Sequence, residues 1–472
     1  MHRLIARLVL LIAVALVART GAAQTADPVK GAPDDFFGVS KIHTFELTIS
    51  AEDFARMPPP NGRGGRGLGG GRVLLGQPND ESGYPKVPAA LRFDGKDWGR
   101  LTIRYKGNSS YRGAPGVLKR SLKLDFDEPD KTHIFFGMPK LNLNNNAFDP
   151  SQMREALAYD VFRRAGVPAP RTAFAKVYIT VPGQYERQYA GLFTAIEQID
   201  QTFFSSRWGQ RVGMLVKPEG LRGMPDLGAD WKRYESAYAS KVTATPADAA
   251  RFIAFVQFVS HATDDEFVKQ IGDYVDVEEF LRFLAAEVVI VNTDSPLGMN
   301  HNYWITVQPK THKVVWLPWD MNMAFGGFRS GDIDLSLRSP SPPGMLPLAD
   351  RLLASPQWQR RYNEILREMM TSNVTRARMS AEITGMAAVI REAVAADQTT
   401  TLATFEGSVV EEPSADSDVN SAGGGFFGSG RGGPPLRQFV DERIESVVEQ
   451  LAGKRVGTPG RGRGFAPPPP RF

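Results

Sequence analysis

Two apolar segments that each run into an aspartate constrain this chain most tightly. The first is VVIVNTDSPLGMNHNYWI, residues 288–305, where four apolar residues lead into Asn292, Asp294, Asn300, His301 and Asn302. The second is WLPWDMNMAFGG, residues 316–327, where Asp320 follows two tryptophans. A carboxylate that ends an apolar run is costly to bury unless something binds it. Asp and Asn are also ordinary at helix ends and turns, so no single residue here is decisive. As a set they ask for a fold that brings both ends to one place. DVEEFLRFLAAEVVIVN has the period of an amphipathic helix and would deliver Asp294 at its C-terminal end. HNYWITV and KVVWLPW read as two strands of a hairpin, joined by a polar turn at 308–312. A hairpin sets the start of one strand beside the end of the next. Asn302 and Asp320 are therefore expected to be neighbours, with Asp294 in reach. Two carboxylates and an amide oxygen around one cleft suit Mg²⁺ or Mn²⁺. The chemistry such ions serve best is phosphoryl transfer.

The rest of the chain supplies two kinds of pattern. KIHTFELTIS, VPAALRFDGKDWGRLTIRYKGNSS and LKRSLKLDFDE alternate with period two and read as strands. LNLNNNAFDPSQMREALAYDVFRRAGVPAP holds the clearest helix, with Asp149 or Ser151 as its cap and Gly166 and Pro168 as its stop. TAFAKVYITV and YAGLFTAIEQI follow as strands. From about residue 200 the pattern is mainly helical, through PADAARFIAFVQFVSHA, LADRLLASPQWQRRYNEILREMMTS and LRQFVDERIESVVEQLAG. The expected class is α+β, with a β-rich lobe over 41–200 and a mainly helical lobe over 201–453. Low-complexity sequence marks an insert at 57–72 and a Gly-rich loop at 415–435, with an unstructured lead at 24–40 and an Arg/Pro-rich tail at 454–472.

Residues 1–23 combine a basic start, a short apolar run and small residues at Gly21-Ala22-Ala23, the pattern of an export signal rather than an anchor. No later stretch is long and apolar enough to span a membrane. Export places the mature chain in a secreted, periplasmic or envelope setting. The chain has no Cys, which excludes disulfides, thiolate metal sites and lipid attachment at cysteine. The formal net charge is +4, but the lysines and arginines of the first 23 residues, the insert and the tail more than account for it. The folded part is acidic, which argues against a nucleic-acid-binding body.

The order KRSLKLDF, MREALAYDVFRRAGVPAPR, GLFTAIEQID, NTD…HNYW and PWDMNMAFGG, with YKGNSS, GMLVKPEG and LRQFVDERIESVVEQL, resembles the CotH family over about 40–453. These are spore-coat-type secreted proteins with an atypical protein-kinase fold. The resemblance implies a two-lobe fold, ATP and Mg²⁺ or Mn²⁺ as cofactors, and an exported or surface protein bearing Ser or Thr as phosphate acceptor. By resemblance, Asp294 is the catalytic Asp that orients the acceptor hydroxyl, Asn302 the metal-binding Asn and Asp320 the metal Asp. Lys119 or Lys123 resembles the basic residue that holds phosphates, and Glu155 the helix acid that orients it. A surface Lys and a first-turn Glu favoured by the helix dipole are the plainer readings. Lys106 and Ser109 lie in a Gly- and Ser-bearing stretch suited to covering phosphates, though it is not a GxGxxG pattern. Lys217 in GMLVKPEG joins them as a nucleotide contact. Glu197 falls where the lobes would meet and could face the adenine; a solvated linker acid is the alternative. The stretch from Asp294 to Asn302 is longer than in ordinary kinases, which leaves Asn300 as a second candidate ligand. Asn322 stands where many relatives have a further acid.

Overall fold

The computed structural model describes residues 31–59, 83–107, 109–112, 118–128, 130–218, 221–328, 332–410 and 433–461. The expected signal at 1–23, residues 24–30 of the expected lead, most of the 57–72 insert, nearly all of the 415–435 loop and residues 462–472 of the expected tail lie outside them. Mixed α and β structure is present, as the two periodicities require. Seven strands close into a barrel in the order β1-β2-β3-β4-β5-β7-β6. They are β1 (Gly38–Thr48), β2 (Val87–Phe93), β3 (Lys96–Tyr105), β4 (Leu122–Asp125), β5 (Lys140–Asn144), β6 (Thr172–Val181) and β7 (Tyr185–Glu197). All neighbours are antiparallel except β1 and β6, whose parallel pairing closes the ring.

Alternation explains the barrel. Val87, Ala89, Leu91 and Phe93 of β2 are buried and the residues between them exposed. Asp94 and Gly95 both take positive φ, 45° and 79°, which gives a two-residue turn the twist of its flanking strands. The interior is filled by aromatic side chains, among them Phe45, Phe93, Trp98, Phe126 and Phe135.

A second sheet runs β11-β10-β8-β9, from β8 (Leu215–Pro218), β9 (Tyr238–Val242), β10 (Tyr303–Val307) and β11 (Val314–Pro318). Every residue of β10 and β11 is buried. This sheet shares a second apolar core with the helices Pro246–His261, Val277–Val289, Pro356–Glu368, Arg376–Ala395 and Leu436–Leu451. The helix Arg154–Arg164 belongs to that second core too, through Leu157, Val161 and Phe162. Among the described residues, no helix is long and apolar enough to cross a membrane.

Several expectations change. Residues 31–40 are not an unstructured lead: Phe36 is fully buried against Phe45 and Phe135, and β1 starts at Gly38. Met57, at the edge of the insert, is buried in the barrel core. Residues 454–461 fold back rather than trail away; the Thr458 N–H donates to Asp334 O at 2.7 Å, and Arg455 pairs with Asp334 and Glu449. LADRLLASPQWQRRYNEILREMMTS is two helices, Pro347–Ala354 and Pro356–Glu368, because Pro356 keeps Ser355 in an extended conformation. The helix in 141–170 begins at Arg154, later than expected. Asp149 still serves its start, accepting from the Arg154 N–H at 2.7 Å, and Gly166 at φ 87° ends it.

Candidate functional site

The turn after Val277–Val289 carries Asp294 outward. Val291 takes φ 47°, reversing the chain, and the Asn292 N–H donates to Glu287 O at 3.2 Å. Asp294 is then held from two sides. His301 Nε2 lies 2.8 Å from its Oδ1. Asn302 Nδ2 donates to the Asp294 backbone oxygen at 2.8 Å and approaches Oδ2 at 3.3 Å. Asn302 sits at φ 58°, a conformation Asn tolerates better than most residues.

The β10–β11 hairpin joins this turn to Asp320. Tyr303 pairs with Pro318, and the Trp319 N–H donates to Asn302 O at 3.1 Å. Asp320 follows at φ 59°, ψ 60°. Its N–H donates to the Tyr159 hydroxyl at 3.0 Å. Tyr159 lies one helical turn after Glu155, so both side chains face this strand end.

The barrel supplies the opposite wall. Lys106 directly follows β3, and its N–H donates to Ser121 O. Its Nζ donates to Asn144 Oδ1 at 2.9 Å and stands 5.4 Å from the Trp319 ring centre. Asn144 Nδ2 donates to Glu155 Oε2 at 2.9 Å. Lys106 and Glu155 are thus linked through an amide.

Charge is unbalanced here. Burial raises the pKa of Asp320; Lys106 and Lys217 pull it down, Asp294 pushes it up and His301 pulls it down. Burial and the neighbouring Asp320 carboxylate push Glu155 up to about 8, against the hydrogen bond from Asn144 and the charge of Lys106. The Glu155 and Asp320 carboxylates, which repel each other, fit a divalent cation with a preference for oxygen. Among the described residues no three His, Asp or Glu side chains form a ligand set by themselves. Asp320 and Glu155, with the Asn302 amide, would hold an ion that takes its further oxygens from phosphate or water, as Mg²⁺ usually does.

Lys119, Glu197 and Asn300 are engaged in other contacts. Lys119 is buried with its Nζ on Asp397 at 2.6 Å and Gln152 at 2.9 Å, so its charge is spent on a structural pair. Lys123 stands opposite Arg104 on β3 and Asn142 on β5. Glu197 is 3% exposed. Burial pushes its carboxyl up, but hydrogen bonds from Arg171 and Arg207 outweigh that and hold it below the usual range. Its Oε2 accepts from Arg171 Nε at 3.1 Å and Arg207 Nη2 at 2.7 Å, a structural clamp rather than a free adenine contact. Asn300 is also engaged: its Nδ2 donates to Leu221 O and Gly223 O at 3.0 and 2.8 Å, and its Oδ1 accepts from the Tyr303 hydroxyl at 2.7 Å. Between Asn300 and Asn302, the geometry favours Asn302. Lys217 on β8 acts on Asp320. Ser109 begins the short helix Ser109–Arg112, and its side chain lies outside the described residues. Sequence reasoning missed Asn144, Tyr159 and Trp319. For Asn144 a signal existed: LNLNNN sets amides on the outward face of a strand.

The fold and site therefore define a mixed α+β protein in which a carboxylate pair, Glu155 and Asp320, lies between barrel and helical-core residues with Lys106 and Lys217 acting on it. The profile of the family described as CotH kinase protein matches residues 103–416, and the chain belongs to the CotH family. It is similar to inner spore coat protein H of Bacillus subtilis (strain 168), 26% identical over 316 residues, which cover 66% of this chain and 82% of that protein.

Proposed function

We propose that this chain is an exported, metal-dependent protein kinase with a two-lobe, kinase-like layout, moving the γ-phosphoryl group of ATP to Ser or Thr of secreted or surface proteins. The observation that carries the reading is the convergence of Lys106, Glu155, Asp294 and Asp320 in one cluster of interacting groups, with Lys106 and Glu155 buried and linked through Asn144. The barrel side would cover the nucleotide, with Lys106 and Lys217 against its phosphates. Asp294, held by His301 and Asn302, would orient the acceptor hydroxyl and take its proton. The hydroxyl oxygen bonds to the γ-phosphorus as the bond to the β–γ bridging oxygen breaks, and ADP leaves. A Mg²⁺ or Mn²⁺ ion held by Asp320 and Glu155 would neutralise phosphate charge. The chain's own part is positioning and fixed charge.

The name of the Bacillus subtilis relative, a coat protein, favours a second reading: an envelope or coat scaffold that keeps the fold without the chemistry. One assay separates them. The purified protein is incubated with ATP, Mn²⁺ or Mg²⁺ and a Ser-rich acceptor, beside Asp320→Ala. Phosphate on protein from the wild type alone supports the kinase. Absence of both ATP binding and phosphoprotein supports the scaffold. Free phosphate without phosphoprotein points to a hydrolase.

A further inference from the structure

The turn after Asp320 owes its shape to a distant part of the chain. Met321–Met323 make one 3-10 turn. Phe325 and Gly326 then take positive φ, 56° and 72°, which a bulky residue such as Phe325 resists. The Phe325 N–H donates to Ile290 O at 2.7 Å, and its ring meets Phe439 edge-on at 5.9 Å. Gly433 lies against the same turn. A Cβ on Gly433 would stand 2.5 Å from the Gly326 carbonyl oxygen and 3.0 Å from Gly327 Cα. A Cβ on Gly326 would in turn stand 3.1 Å from the Phe439 ring and 3.3 Å from Pro434.

The same distant segment reaches the other two parts of the site. Pro434 O accepts from Arg154 Nη2 at 2.8 Å, and Arg154, next to Glu155, is also bonded to Asp149 at 3.0 Å. Arg443 donates to Val288 O at 2.9 Å, at the end of the helix that leads to Asp294. It donates also to Ile333 O and Leu335 O. Residues 433–443 thus touch the Asp320 turn, the start of the Glu155 helix and the root of the Asp294 turn.

We propose that the segment 433–443 is a positioning element of the site, fixing the Asp320 turn through a backbone contact that only glycine at 433 permits. The turn is then ordered by the chain's own packing and needs no added phosphate to order it, unlike switch loops that depend on one. The functional half of this inference rests on the phosphoryl-transfer reading; the structural half does not.

The test uses full-length Gly433→Ala and Gly433→Val, with Gly407→Ala as control, since a Cβ there meets nothing within 4 Å. Hydrogen exchange is followed in peptides covering 319–328, and phosphoryl transfer is measured against Mn²⁺ concentration. Both Gly433 variants are expected to exchange at least tenfold faster in 319–328, with the barrel strands unchanged. The apparent KM for Mn²⁺ is expected to rise at least tenfold in Gly433→Val, with kcat at saturating Mn²⁺ within about threefold of the wild type. A general loss of folded protein would not produce that split. Unchanged protection overturns the proposal, and so does faster exchange with unchanged Mn²⁺ dependence. If Gly433→Val does not fold, Gly433→Ala carries the comparison. If the wild type neither binds Mn²⁺ nor transfers phosphate, the phosphoryl-transfer reading fails by itself. The exchange data then still decide whether the segment positions the turn.

Discussion

Glu287 offers the sharpest test of the electrostatics beneath the site. It lies in the last turn of the helix Val277–Val289 and is 0% exposed. Burial pushes its pKa up to about 8, against a smaller pull from Ser295 and Asn292. Both of those residues belong to the turn that carries Asp294. From its ordinary value of 4.5 up to about 8, the folded protein keeps a proton that the unfolded chain has released. The folded state binds more protons there, so stability falls as pH rises. The contribution is full below 4.5 and is lost by the time pH passes about 8. At ~1.4 kcal/mol per pH unit, the loss between pH 5 and pH 8 is about 4 kcal/mol. Glu287→Gln keeps the shape and removes the proton. Urea denaturation of both proteins at pH 5, 6, 7 and 8, with slopes compared, measures the effect. The variant should gain on the wild type by about 4 kcal/mol across that range. Other buried acids, such as Glu155 and Glu279, are present in both proteins and cancel. A difference that stays flat from pH 5 to pH 8 would refute the argument, because Glu287 would then be charged in the folded state or hydrated in a way the packing does not allow.

Two further contrasts separate site from scaffold. Lys106→Met should raise the KM for ATP at least tenfold with little change in melting temperature. Lys119→Met should instead destabilise by about 3–5 kcal/mol, because it leaves the Asp397 carboxylate buried and unpaired; thermal melts and steady-state kinetics on both variants distinguish them. Asn302→Gly keeps the positive φ but removes the amide that holds Asp294, so kcat should drop at least tenfold while the fold survives. Asn300→Ala should act on stability, by about 1–3 kcal/mol for each polar group it leaves unpaired, as read by denaturant titration.

Much of the fold was legible because period and turn chemistry are local. β2, β3 and their Asp94-Gly95 turn follow from alternation and two positive-φ positions. The β10–β11 hairpin and its polar turn follow from the same kind of signal; Gln308 Oε1 accepts there from the Lys310 and Thr311 N–H groups. What could not be read was set by distant partners. Residues 31–40 look like a linker by composition, and only the barrel tells that Phe36 has a core to enter. The tail at 454–461 is polar and basic, yet Asp334 and Glu449 give Arg455 somewhere to go.

The site divides along the same line. Asp294, Asn302 and Asp320 could be brought together on paper because one hairpin does it. The lysine could not, since choosing among Lys106, Lys119 and Lys123 requires knowing which charge each one meets. Matching by motif order favoured a lysine near the strand before the helix, and Lys119 was drawn away by Asp397, a residue far along the chain. The strand that actually precedes the helix, β5, carries Asn144 where a lysine would face Glu155. The positive charge arrives instead from the end of β3, because Lys106, Ser121 and Asn144 fall in one row across β3, β4 and β5. Two carboxylates crowded at Glu155 and Asp320 need a cation nearby, and a closed barrel offers more than one strand end that can deliver it. The requirement is electrostatic and the route is topological, so a sequence can reveal the first while leaving the second open.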